Sequence, residues 1–60
     1  MKKYEIKFTS LLGKEATIVL PATNQNAAIA DFETSWLDID NTDRYVQYNE
    51  KHITSIREVS

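Results

Sequence analysis

Sixty residues with nine acidic and seven basic side chains, a net charge of −2, 42% apolar residues, no cysteine and one glycine allow one small domain at most. Without cysteine there is no disulfide framework and no thiolate metal cage, and a single glycine cannot build a phosphate-cradling loop. The acidic balance speaks against a dedicated duplex-DNA binder, whose affinity rests on an excess of Lys and Arg.

Met1-Lys2-Lys3 resembles the basic start of a secretory leader, but Glu5 and Lys7 interrupt the apolar core that a leader needs. The longest apolar runs fall far short of the roughly 20 residues of a membrane span. The expectation is a cytoplasmic protein with no membrane segment.

From there the chain alternates. Tyr4, Ile6 and Phe8 are interleaved with Lys3, Glu5, Lys7 and Thr9, and beyond Gly13 the residues Ala16, Ile18 and Leu20 are interleaved with Glu15, Thr17 and Val19. Period two on both sides of a turn signal predicts a hairpin with one buried face. For Ile6 and Ile18 to share that face the loop must have an odd number of residues. Leu11-Leu12-Gly13 meets this condition and puts Gly13 where a type I turn followed by a left-handed residue needs positive φ. The register follows: Phe8 opposite Ala16, Ile6 opposite Ile18 and Tyr4 opposite Leu20, with Thr9–Glu15, Lys7–Thr17 and Glu5–Val19 on the other face.

Pro21 lacks an N–H and is expected to end the second strand, after which Thr23 and Asn24 offer oxygens to helix-start amides. On a 3.6-residue period Ala28, Ile29, Phe32 and Trp36 share an arc of about 100°, with Ala27, Asp31 and Thr34 pointing away. This predicts one amphipathic helix opening at Asn24 or Gln25 and running to Leu37, its two aromatics packed over Ile6 and Ile18. Residues 38–43 have no periodicity and form a loop, with Ile39 turning back over the rim of the core.

Residues 44–48 and 54–59 read as a second hairpin. Ile53 and Ile56, three apart, break a simple alternation, and a five-residue loop over residues 49–53 absorbs the break. It pairs Tyr48 with Thr54, Val46 with Ile56 and Arg44 with Glu58, with Tyr45–Arg57 and Gln47–Ser55 outside. A shorter turn at Glu50-Lys51 would oppose Arg44 to Arg57 and is disfavoured. The expected fold is α+β, ββαββ: a four-stranded, mainly antiparallel sheet with one helix packed on one face, in which the first and last strands can be neighbours.

Few residues carry chemistry. Asp38, Asp40 and Asp43 begin like a calcium loop, but Asp43 stands where the loop wants glycine and Asn49 where it wants a bidentate glutamate, so no metal site is expected. His52, the sole histidine, lacks the partners of a triad or a transition-metal site and reads as a turn residue. Neither a cofactor nor an enzymatic activity is expected.

Two surfaces could serve macromolecular binding. The outer sheet face would gather Lys3, Lys7, Tyr45 and Arg57, a stacking ring among cations that suits single-stranded nucleic acid, diluted by Glu5 and Glu15. Asp31, Glu33, Asp38, Asp40 and Asp43 form a stretch without a base, leaving four acids and seven bases elsewhere, and could present an acidic face to a basic protein or mimic a nucleic-acid backbone. The expected role is that of a small non-enzymatic binding or accessory module with a protein partner. A core this small, with no staple, also favours a homodimer.

Overall fold

Gly13 sits at φ 81°, and around it the first hairpin closes as its alternation requires. The structure, a computed structural model, describes residues 1–59. Strand β1 spans Lys2–Thr9 and strand β2 spans Glu15–Ala22. They pair antiparallel with Phe8 opposite Ala16, Ile6 opposite Ile18 and Tyr4 opposite Leu20, the register expected from parity. Ser10 N–H donates to the Lys14 carbonyl at 2.7 Å and Gly13 N–H to the Ser10 carbonyl at 2.9 Å, so Leu11-Leu12-Gly13 is the loop. Pro21 does not end β2, which runs on to Ala22. On an edge strand its missing N–H faces solvent and costs no ladder bond.

Helix α1 spans Gln25–Thr34, capped by the Asn24 side chain, which accepts from Ala27 N–H at 2.8 Å. It stops three residues before the expected Leu37. The cause is local: the Thr34 hydroxyl donates to the carbonyls of Ala30 and Asp31, and the Ser35 hydroxyl donates to that of Asp31 at 2.7 Å. Side-chain hydroxyls thus take the carbonyls that another helical turn would use, and Ser35 is extended at φ −84°, ψ 137°. Trp36 therefore leaves the helical arc and is 64% exposed instead of lying over the core. Ala27, expected to face away, packs against the core.

The fourth strand does not form. Among the described residues, the 44–48 segment makes one isolated bridge, Val46 with Leu37, through N–H···O bonds of 2.9 and 3.0 Å. Strand β3, Ile53–Glu58, pairs with β1 rather than with this segment, giving a three-stranded antiparallel sheet of order β2-β1-β3. The expected pairs of Tyr45 with Arg57 and Val46 with Ile56 are replaced by Glu5 with Arg57 and Ile6 with Ile56. A register shift opposite Lys7 and Phe8 places Ser55 against Lys7 and Ile53 against Phe8. This β-bulge, not a long hairpin loop, lets Ile53 and Ile56 face the core together although they are three apart.

The core lies between the sheet and α1. Tyr4, Ile6, Phe8, Ala22, Ala28, Phe32 and Tyr48 are buried, with Ile18, Leu37, Ile39, Val46 and Ile56 packed around them. Tyr48 takes the place expected for Trp36: its ring lies 5.2 Å from Phe8 and 6.4 Å from Phe32, and Phe8 meets Phe32 edge-on at 4.9 Å.

Candidate partner-binding surfaces

On the sheet face turned away from α1, β1 sets Lys3, Glu5 and Lys7 in a row, and the β1–β3 register puts Arg57 beside Glu5. Arg57 Nε donates to Glu5 Oε1 at 3.0 Å and its terminal nitrogen to Oε2 at 3.3 Å. That two-pronged bond holds the Glu5 carboxyl below its ordinary pKa and raises that of the guanidinium, although burial pulls each the other way. Three of the four candidate nucleic-acid residues, Lys3, Lys7 and Arg57, do share a face, but the cation at its middle is engaged by a carboxylate. Tyr45 does not join them: it lies in the segment that covers the helix side of the sheet. The open face thus lacks the ring on which a base would stack, and its exposed large apolar residues are Val19 and, beside Lys3, Val59.

The five acidic candidates have unequal surroundings. Asp31 stands on the exposed side of α1. A Glu33 oxygen accepts from Glu50 N–H at 2.9 Å, Asp38 accepts from Thr42 N–H at 3.1 Å, and Asp40 accepts from the Ser10 hydroxyl at 2.7 Å. Asp43 and Asn41 adopt left-handed φ of 60° and 54°, a region that short Asn and Asp side chains enter more readily than most. Glu33, Asp38 and Asp40 therefore each bond a structural group.

Next to these acids stands a feature that the helical period concealed. Leu37 and Val46 form a hydrogen-bonded pair with both side chains against the core. Alternation then turns their neighbours Trp36, Asp38, Tyr45 and Gln47 to the opposite side. Trp36 and Tyr45 are 64% and 65% exposed. Gln47 donates from its side-chain nitrogen to the Thr34 carbonyl at 3.2 Å, tying this ribbon to the end of α1. The sequence signal that could have revealed it is the Thr34-Ser35 pair, two residues that compete with helix for backbone carbonyls.

Two hollows lie on this surface. A groove of about 320 Å³ runs between the exposed hairpin tip, Leu11 and Leu12, and the Arg44–Val46–Tyr48 stretch, and a smaller one of about 160 Å³ lies at the bulge beside Lys7 and Thr54. His52 Nδ1 accepts from Asn49 N–H at 3.3 Å and its ring stands edge-on to Tyr48 at 5.2 Å, so it closes the short 3-10 helix Glu50–His52. No group of three metal-ligating side chains occurs among the described residues. No family model, no curated protein sequence and no solved structure matches this chain.

Proposed function

We propose that this chain is a small non-enzymatic binding module, and that its partner is a basic protein engaged through Trp36 and Tyr45. One observation carries the reading: two large aromatic side chains, 64% and 65% exposed, share the solvent side of the Leu37–Val46 bridge, in a region whose five charged residues from Asp31 to Asp43 are all acidic. Exposed rings held on a braced ribbon supply the buried anchors that dominate protein–protein affinity. Asp38 lies on the same side of the ribbon, its carboxylate held by Thr42 N–H, and Asp31 and Asp43 extend the negative field. Such a field steers a cationic partner and penalises an acidic one. A carboxylate already fixed by a backbone donor loses little freedom on binding.

The test uses the whole chain as bait in a lysate of its native host. The unaltered chain is compared with Trp36→Ala/Tyr45→Ala, with Asp31→Asn/Asp38→Asn/Asp43→Asn, and with Lys3→Glu/Lys7→Glu. The captured protein is then purified and titrated by calorimetry at two salt concentrations. The expected partner is basic, binds at least about tenfold more weakly to the aromatic variant, loses its salt dependence with the Asn variant and ignores the Lys variant. Capture of nucleic acid, or binding abolished by the Lys variant alone, would assign function to the open sheet face and overturn the reading.

A further inference from the structure

The two edges of the sheet differ in what they can accept. Val59 N–H donates to the Lys3 carbonyl at 2.8 Å, which makes these two a hydrogen-bonded pair of the β1–β3 ladder. Such pairs recur at every second residue of an antiparallel ladder. Glu5–Arg57 and Lys7–Ser55 are therefore hydrogen-bonded pairs as well, and the N–H and C=O groups of Ile56 and Glu58 point away from β1. Among the described residues no strand pairs with that edge. On the opposite edge, the outward groups of β2 belong to Glu15, Thr17, Val19 and Pro21. Pro21 has no N–H, so that edge is blunted. β3 carries no proline and sets the half-buried Ile56 at its middle.

We propose that β3 is a self-association edge: two copies of this chain join antiparallel about a two-fold axis at Ile56, making a six-stranded sheet with both helices on one side. The register is selected by pleat and charge. Residues facing the core must oppose residues facing the core, which excludes every pairing of an even position with an odd one beyond the bulge. An axis at Arg57 would set two guanidinium groups against each other. An axis at Ser55 would oppose Arg57, which faces outward, to Ile53, which the bulge turns inward. With the axis at Ile56, Ile56 meets Ile56 of the partner subunit, Arg57 meets the partner's Ser55 and Glu58 meets the partner's Thr54. No like charges are opposed, and Arg57 keeps its bond to Glu5. This edge is separate from the Trp36–Tyr45 ribbon, so the dimer does not depend on the proposed basic partner.

The chain is short enough for total synthesis, and a backbone N-methyl group at Ile56 removes an edge donor while keeping every side chain. Light scattering and sedimentation from micromolar to millimolar chain should show the unmodified protein reaching twice its monomer mass. N-methylation at Ile56 should weaken association at least about tenfold, since it removes both hydrogen bonds of the central pair. The same group at Val19, on the β2 edge, should leave the dimer intact. Ser55→Arg should weaken the dimer by facing the partner's Arg57, with circular dichroism showing that each chain is folded. The proposal is overturned if the unmodified chain keeps its monomer mass at millimolar concentration. It is equally overturned if the dimer withstands Ile56 N-methylation or is abolished by the change at Val19.

Discussion

The Ser10 hydroxyl, on a residue only 4% exposed, donates to Asp40 Oδ1 at 2.7 Å across thirty positions of sequence, while Ser10 Oγ accepts from Lys14 N–H at 3.1 Å. One side chain thus closes the first hairpin turn and fastens the post-helix loop to it. Ser10→Ala strands the Lys14 donor and the Asp40 acceptor together and should cost about 1–2 kcal/mol in urea unfolding followed by circular dichroism. Asp40→Ala should cost a similar amount, and the double variant little more than either alone, because both remove the same link. Strict additivity of the two would show that the link does not couple the hairpin to the loop.

Phe32 and Trp36 are one helical turn apart by spacing, yet they have opposite fates, 0% and 64% exposed. Phe32→Ala removes a ring packed on Phe8 and Tyr48 and should cost about 3–5 kcal/mol, enough to unfold a domain of this size. Trp36→Ala should change stability by no more than about 0.5 kcal/mol. Native tryptophan emission should lie close to that of the urea-unfolded chain and be quenched readily by iodide. A blue-shifted, protected emission would place Trp36 back in the core.

Local pattern made the first hairpin legible down to its register, because turn chemistry and alternation point to one answer there. Gly13, the odd loop and Ile6 opposite Ile18 all agree. Further along, alternation turns Val46, Tyr48 and Ile56 inward, as they lie in the structure, but it sets Val46 beside Ile56 where the chain sets Ile6. Periodicity reports which face a residue shows, not which strand lies beside it. The spacing of Ile53 and Ile56 suits a long loop as well as the bulge the chain uses, since both devices absorb one extra residue. The candidate surface was hidden for a related reason: a 3.6-residue arc through Trp36 ignores the hydroxyls of Thr34 and Ser35 that end the helix first. The acidic residues are visible as a cluster, but the donors that hold three of them, the Ser10 hydroxyl and the N–H groups of Thr42 and Glu50, come from turns and loops, which spacing does not show.

Gly13 is the place where the turn needs a residue without a Cβ. Nothing lies within 4 Å of where that atom would stand, so the penalty for a side chain comes from φ alone. Gly13→Ala should cost about 1–2 kcal/mol, and Gly13→Asn less, since asparagine tolerates left-handed φ. Thermal unfolding of the two variants side by side measures the difference. Equal losses would mean that the turn rearranges instead of bearing the strain.

The Glu5–Arg57 pair leaves an acid signature. Its first cause is the bond from Arg57, which burial opposes and the charges of Arg57 and Lys7 aid, and the net result sets the Glu5 carboxyl lower in the folded chain than in the unfolded one. Between those two values the unfolded state binds more protons, so the pair's contribution is complete above the ordinary carboxylate range and is lost as pH falls through the depressed value. Glu5→Gln should therefore lower stability slightly at neutral pH, and the gap from the unaltered chain should close on acidification. The effect should be small and salt-sensitive, because Arg57 is largely exposed, with 68% of its side chain open to solvent. Urea midpoints from neutral to strongly acidic pH, at low and high salt, measure it. A gap that widens toward acid would mean that another carboxylate, not Glu5, carries the acid sensitivity of the sheet.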